Sequence, residues 1–380
     1  MLKIEQSLFE NTNLKEVIPL YRQVKELIIG MVEDGRLKRG KALPSEENLC
    51  KLLNVSSITV RRALYELRHE GWIDRQQGKG TFVTQVSHEL LDKKLKKILI
   101  VFPWKVDSTS FYSQGLISAF KQMERDKKYS IRIVSESSNY RNIYDHNKAD
   151  GMIIIAPSAE DKEIILDMKN RGYKFVLLGA SWSDWDVNYI DSDHAQGTID
   201  AVHYLISSGH KEIALLNGPL RASNAVDCFE GYKKVMKSNS LPVKKQWVFN
   251  ATLSFVSGKN FDSRVIKDWI KRIMLSSNKP TAVISTSYSL AMHFYAQIKK
   301  ISLKIPDDIS IISFDETPFN ALLSPPLATV KQPLDEMAKE AVKAIMNLIE
   351  NKTKKIQKKI KTKLIIRESI WKKAINRLKK

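Results

Sequence analysis

Only two of the 380 residues are cysteine, Cys50 and Cys228, and no C-x-x-C spacing occurs. Such a pair builds no disulfide framework and points to a reducing compartment. The start of the chain, Met1-Leu2-Lys3-Ile4-Glu5-Gln6-Ser7, lacks the long apolar core of a signal peptide. Apolar runs such as Ile98–Phe102 and Met152–Ala156 are strand-length, far short of the roughly 18 residues that a membrane span needs. There is no H-E-x-x-H, since His88-Glu89-Leu90-Leu91-Asp92 fails at its last position, and no Walker loop or G-x-S-x-G elbow. The seven histidines are scattered; His194, His203 and His210 read as surface or helix-end residues. These absences lead us to expect no catalytic residues, no metal site, no cofactor and no membrane partner. What remains is a soluble, cytoplasmic chain, 43% apolar and 27% charged, long enough for two or three domains with sizeable cores.

The net charge of +20 suggests nucleic acid, but its distribution weakens that inference. Residues 1–86 carry 14 bases and 11 acids, whereas the last thirty-one residues carry 13 bases and 2 acids, a net of +11. A lysine run of this kind reads as a solvated surface rather than a reader of bases. Charge alone does not decide what the chain does.

Local patterning is more specific. Leu20, Val24, Leu27, Ile28 and Met31 recur at helical spacing, and Gly35 and Gly40 break the pattern. In Pro44-Ser45-Glu46-Glu47-Asn48-Leu49, Ser45 is placed as an N-cap, with two acids in the first turn to complement the helix dipole. Leu49, Leu52 and Leu53 give that helix an apolar face up to about Asn54. Ser56 or Ser57 can cap the next helix, whose buried stripe is Val60, Ala63, Leu64 and Leu67. After Gly71, the segments Trp72–Arg75, Gln76–Gly80 and Thr81–Val83 read as strand, turn, strand. Helix, turn, helix and hairpin make a winged helix-turn-helix.

With its apolar stripe committed to the core, the second helix of the pair presents Ser57, Thr59, Arg61 and Arg62. A recognition helix offers its N-terminal residues to the major groove, where arginine chelates guanine or holds phosphate. Gly78-Lys79-Gly80 at the wing tip allows close backbone approach, with Lys79 supplying charge. Together with Ser45 these form the expected DNA-facing set. Isolated arginines would read as solvated surface charges; their order within this motif favours a DNA role.

The stretch LPSEENLCKLLNVSSITVRRALYELRHEGWIDRQQGKGTFV resembles the DNA-binding head of GntR-type bacterial transcription regulators. It keeps the Leu-Pro-Ser-Glu entry, the Val-Ser-x-x-Thr-Val-Arg-Arg-Ala-Leu helix and the Gly-Lys-Gly-Thr-Phe-Val wing. It departs at Glu47 and Ser57, where that family often has arginines that contact DNA. The resemblance implies DNA binding with a base preference of its own.

The expected organisation is an N-terminal extension (1–14), the winged helix-turn-helix domain (15–84), a linker (85–96), an effector-binding domain (97–371) and a basic tail (372–380). From Ile98 onward, short apolar strand candidates alternate with amphipathic segments such as Phe111–Met123, Ala195–Ser207 and Leu290–Lys300. The strand candidates are Ile98–Phe102, Ile131–Val134, Gly151–Ala156, Phe175–Leu178, Ile213–Leu216, Ala282–Ser285 and Ile309–Phe314. Nearly all-apolar strands suit a parallel sheet covered by helices on both faces. The length suits an α/β domain of two lobes, one spanning about 97–188 and 333–350, the other about 189–332 and 355–371. VNYIDSDHAQGTIDAVHYLISSGHKEIALLNGP, FEGYKKVM and IPDDISIISFDETPFNALLSPPLATVKQPLDEMAKEAV resemble the effector domain of LacI/GalR-type repressors, which is similar to periplasmic sugar-binding proteins. A GntR-type head on such a body is similar to the arabinose-responsive repressor architecture. It implies a homodimer on a palindromic operator, controlled by a small molecule.

Carried over position by position, that resemblance places the aspartate that holds sugar hydroxyls at Asp315. The family arginine falls on Cys228, and the family Asn-Asp pair on Ser287 and Tyr288. Two readings of the pocket stay open. In one, a carbohydrate is gripped differently: Trp104, Trp182 and Trp185 stack on a sugar face, while Asp184, Ser287 and Tyr288 supply hydrogen bonds. In the other, the ligand is not a typical sugar, or binding has been lost. An aminotransferase-like enzyme behind the same kind of head is a third reading, which the Asp315 motif disfavours. If the basic tail is only solvated surface, deleting residues 372–380 will leave the salt dependence of DNA binding unchanged. A shallower slope in a binding titration would assign the tail to the DNA.

Overall fold

A computed structural model describes residues 19–371 except positions 34, 39, 70, 77–79, 85–94, 104–105, 107–109, 124–128, 137–138, 252–262 and 354. The chain divides at Lys94 into two compact units.

In the first unit, α1 (Leu20–Glu33), α2 (Glu46–Leu53) and α3 (Ser57–His69) precede a hairpin of β1 (Ile73–Gln76) and β2 (Gly80–Val83). The strands pair antiparallel from Ile73 opposite Val83 to Gln76 opposite Gly80. The expected stripes meet in one core, where Val24, Ile28, Met31, Leu49, Leu53, Val60, Ala63, Leu64 and Leu67 are buried. Leu20 is the exception: it starts α1 and stays exposed. Ser45 caps α2, its Oγ accepting from Asn48 N–H, and Asn54 ends the helix in the left-handed conformation.

The second unit contains two six-stranded sheets. The first has the order β13-β7-β6-β5-β3-β4, with β3 Lys96–Pro103, β4 Tyr129–Glu136, β5 Gly151–Ile155, β6 Phe175–Leu178, β7 Tyr189–Ser192 and β13 Gln357–Ile360. All its pairings are parallel. On one face lie α4 (Phe111–Met123) and α11 (Leu334–Ile349); on the other lie α5 (Tyr140–His146) and α6 (Lys162–Asn170). The second sheet has the order β14-β12-β11-β10-β8-β9, with β8 Ile213–Asn217, β9 Val248–Asn250, β10 Ala282–Ser285, β11 Ser310–Phe314, β12 Ala328–Lys331 and β14 Lys363–Ile365. Only β14 runs antiparallel to its neighbour. Its two faces are covered by α7 (His194–Ser207) with α8 (Ser223–Ser238), and by α9 (Ser263–Met274) with α10 (Tyr288–Lys300). The central strands are apolar because they are sandwiched between helices and have no solvent face to carry polar residues, whereas the edge strands β13 and β14 carry exposed lysines.

The backbone passes between the sheets after Ser192, after Lys331 and after Ile360. The first and last crossings come later than the boundaries at 189 and 355 expected from the sequence, because β7 and β13 belong to the first sheet. The described part of the lysine-rich stretch after 350, up to Trp371, is therefore structural rather than simply solvated. It supplies edge strands to both sheets, and Lys355, Lys358, Lys359 and Arg367 pair with Asp186, Glu340, Asp227 and Glu316.

Helices α7 and α8 pack closely where Gly231 faces the backbone of Ala195. A Cβ at position 231 would meet the Ala195 carbonyl oxygen at 2.6 Å. Backbone cannot swing aside as a flexible side chain can, so the helices must separate. Gly231→Ala is expected to destabilise the second lobe by about 1–3 kcal/mol, read as a lower midpoint in thermal or urea unfolding.

Candidate DNA-binding and effector sites

On the head, Ser56 begins α3: its Oγ accepts from Thr59 N–H at 3.3 Å and hydrogen-bonds the Thr59 hydroxyl at 2.9 Å. That settles which serine caps the helix and leaves Ser57 free to face outward, exposed. Arg61 Nε–H donates to Glu46 at 3.0 Å, and Arg75 on the wing lies 3.5 Å from the other Glu46 oxygen. The Arg62 guanidinium sits 3.9 Å over the Tyr21 ring. Glu47, at a position where the related family often has arginine, is occupied by Lys51 at 2.7 Å. Gly80 opens β2 at φ 119°, a conformation that suits glycine. Gly78 and Lys79 lie outside the described residues. Periodicity gave no sign of the Arg75 contact, which depends on the wing folding back toward α2.

In the second unit, Asp315 follows β11 in the left-handed conformation, φ 72°. Its Oδ2 accepts from Tyr288 N–H (3.2 Å) and its Oδ1 from the Gln332 amide (2.8 Å). Asn320 donates to its carbonyl oxygen at 3.1 Å. Burial pushes the Asp315 carboxyl above the usual range, against the Tyr288 and Gln332 hydrogen bonds. Next to it, Arg367 holds Glu316 through both carboxylate oxygens, at 2.5 and 3.1 Å. Asp315 and Glu316 open onto a cavity of about 420 Å³, whose other walls include Phe111 and Tyr112 of α4, Lys331 and Gln332. That volume is in the range of small-molecule sites. Phe111 also meets Tyr288 and Phe319 edge-on, at centroid distances of 5.3 and 5.5 Å. The Tyr112 hydroxyl is buried with no hydrogen-bond partner among the described residues. Gly179, at φ +78°, makes room for it, since a Cβ there would lie 2.1 Å from that hydroxyl.

The other expected pocket residues are scattered. Ser287 caps α10, accepting from Leu290 N–H at 3.3 Å. Cys228 is 1% exposed in the core of the second lobe, and burial pushes its thiol up to about 12, so it lines no part of this cavity. Trp185 is buried, with Trp182 stacked on it at 5.2 Å, and the Trp182 indole N–H donates to Pro157. Trp185 is therefore a core residue, and one face of Trp182 is already covered. Asp184 is an exposed partner of Lys162. Trp104 lies outside the described residues. Phe111, Tyr112 and Gln332 were missed because their role arises from the way the three crossings bring the lobes together. His194 is buried, not on the surface: its Nδ1 is 3.7 Å from Asp191 Oδ1 and its ring stacks on Phe314. His210 is buried too, whereas His203 is exposed.

The lobes also touch directly. Ser181 N–H, after β6, donates to Ser223 Oγ at the start of α8 at 3.0 Å. Ala159 N–H donates to the Arg221 carbonyl at 2.8 Å, and the Arg221 side chain pairs with Glu160. Lys359 of β13 pairs with Asp227 of α8 at 2.5 Å.

Residues 20–83 match the gntR family of bacterial regulatory proteins, and residues 202–370 match the periplasmic binding protein-like domain. The chain is 25% identical over 356 residues to the arabinose metabolism transcriptional repressor of Geobacillus stearothermophilus, covering 89% of this chain and 93% of that one. It is also 25% identical over 336 residues to the probable HTH-type transcriptional repressor ExuR of Bacillus subtilis (strain 168), covering 85% and 97%. Among solved structures, a putative transcriptional regulator LacI from Bacillus cereus subsp. cytotoxis NVH 391-98 superposes with a TM-score of 0.65 at 22% identity, covering 74% of this chain and 100% of that one. The chain thus joins a segment that matches the gntR family of bacterial regulatory proteins to one that matches the periplasmic binding protein-like domain, and its second unit shares the fold of that solved regulator. Its relatives are transcription regulators, and the aminotransferase-like reading falls away.

Burial raises the Asp191 carboxyl above its ordinary range, as it does Asp315. A carboxyl with a raised folded pKa binds its proton more tightly folded than unfolded, so its contribution to stability falls as pH rises above the ordinary carboxylate value. Asp191→Asn removes that buried charge. It is expected to raise the Tm by about 2–4 °C at pH 7.5 and by less at pH 5, measured by calorimetry.

Proposed function

We propose that the protein is a cytoplasmic, homodimeric repressor of a carbohydrate-utilisation operon, whose winged helix binds a palindromic operator and whose two-lobed body binds a sugar. Similarity to an arabinose metabolism repressor across both domains supports the pairing of these activities. The observation that carries the sugar reading is Asp315: its carboxylate is already oriented by Tyr288 and Gln332, and it faces a cavity with an aromatic wall. Each carboxylate oxygen has two lone pairs, so a site that already accepts one N–H at each can still accept ligand hydroxyls. Phe111 and Tyr112, which line the cavity, offer apolar surface to the carbon face of a pyranose or furanose. Ligand in this cavity would contact α4 of one lobe and the end of β11 of the other. It shifts the lobes, and with them the heads, through its different affinity for the two arrangements.

A second reading, a regulator with a non-sugar effector, draws on Cys228 and Ser287. One is sealed in the core and the other is used as a helix cap, so neither offers a polar anchor to a sugar.

Two measurements test the proposal. Titration of the full chain on its own promoter DNA should show affinity falling by about 10³-fold or more between 50 and 200 mM salt, for about six to ten phosphate contacts. A monosaccharide screen by thermal shift should find a ligand that adds roughly 2.7 kcal/mol at 100 times its dissociation constant. Asp315→Ala should abolish that shift while leaving operator affinity in the absence of sugar unchanged. Salt-independent DNA binding would overturn the first part, and a sugar response that survives Asp315→Ala would overturn the second.

A further inference from the structure

The outward face of α3 carries Ile58, Arg61, Arg62 and Tyr65 at i, i+3, i+4 and i+7 spacing. Ile58 is 77% exposed, more than the other large hydrophobic residues described in the head. It gives nothing to the core, and a β-branched residue on an open helix surface is a mediocre helix former. The arginines beside it are drawn back toward the head: Arg61 to Glu46 on α2, and Arg62 over Tyr21 on α1. Ile58 is left projecting from the first turn, which Ser56 fixes.

We propose that Ile58 is a specificity-determining residue that reads the 5-methyl group of a thymine in the major groove. The inference rests on the DNA-binding reading above and deepens it. A recognition helix presents its N-terminal residues to base edges, and the apolar group those edges offer in the major groove is the thymine methyl. The surroundings fit DNA: Arg61 and Arg62 follow Ile58 one turn on along the same exposed face, in weak surface pairs that flanking phosphates can replace. The stiff χ1 of a β-branched side chain also means little freedom is lost on contact. Ser57, at a position where the related family often has arginine, offers no competing reach to guanine. The head therefore selects an A·T pair at a fixed place in each half-site.

The test uses the full chain and a randomised duplex library. The wild-type protein is expected to enrich a thymine at one fixed position per half-site. Replacing that thymine with deoxyuridine removes only the methyl group and should weaken binding about four-fold for each methyl lost. Ile58→Ala should bind the two duplexes equally, with an unchanged unfolding midpoint because the side chain is exposed, and Ile58→Val should retain the discrimination. The inference is overturned by a consensus without a fixed thymine, by wild-type protein indifferent to the methyl, or by Ile58→Ala discriminating as the wild type does. A wild-type chain that enriches no duplex at all would instead overturn the DNA-binding reading.

Discussion

The carboxamide of Gln332 ties together the parts of the second unit that matter for binding. Its amide donates to Asp315 at 2.8 Å, and its carbonyl oxygen accepts from Ser192 Oγ, also at 2.8 Å. Ser192 ends the strand from which the chain first leaves the first sheet, and Gln332 begins the return. One side chain thus links the first two of the three crossings to the aspartate that faces the cavity. Any relative rotation of the lobes must break or reorient that chain of bonds. Through it, a ligand held by Asp315, as proposed above, would act on the hinge rather than on one lobe alone.

Around this link the structure keeps polar groups where burial makes them costly. Asp191 and Asp315 have carboxyls raised by burial, and the Tyr112 hydroxyl is buried without a partner among the described residues. A core selected only for stability would replace such groups with hydrocarbon; their concentration near a cleft is what a binding site requires. The contacts between the lobes are of a different kind. Arg221 with Glu160 and Lys359 with Asp227 are ion pairs, and Phe111 with Tyr288 is an edge-on aromatic contact. Such contacts are individually weak, so the lobes can exchange them for contacts to a ligand at little net cost.

The head shows a related economy. The arginines of α3 already have partners within the domain, so DNA would replace existing contacts rather than find bare charges. Exposed pairs of this type contribute about 0–1 kcal/mol, and phosphates compete with them easily. Glu46 holds Arg61 and Arg75 within reach of one carboxylate, which sets where both guanidinium groups start from.

The sequence by itself determined what is local and periodic. The stripe Val60, Ala63, Leu64 and Leu67, the cap at Ser45 and the all-apolar strands of both sheets were legible, because helix and strand periods and cap chemistry act over a few residues. It also placed Asp315 at the end of a buried strand, where binding groups of such sheets gather. Strands β7, β9, β12, β13 and β14 escaped notice: Asp191 and Ser192 interrupt the apolar signal of the interior strand β7, β9 and β12 are short and end in Asn250 and Lys331, and the lysines around 357–365 mask β13 and β14, which lie at the sheet edges. Which side chains share a pocket was decided only by the tertiary structure. Phe111 and Asp315 are far apart in sequence and line one cavity only because the chain crosses between lobes, while Cys228 and Trp185, plausible as ligand contacts in sequence, were drawn into cores. Hydrophobic periodicity fixes the inward face of each element, but the position of one element against another depends on long-range packing that no short window of sequence contains.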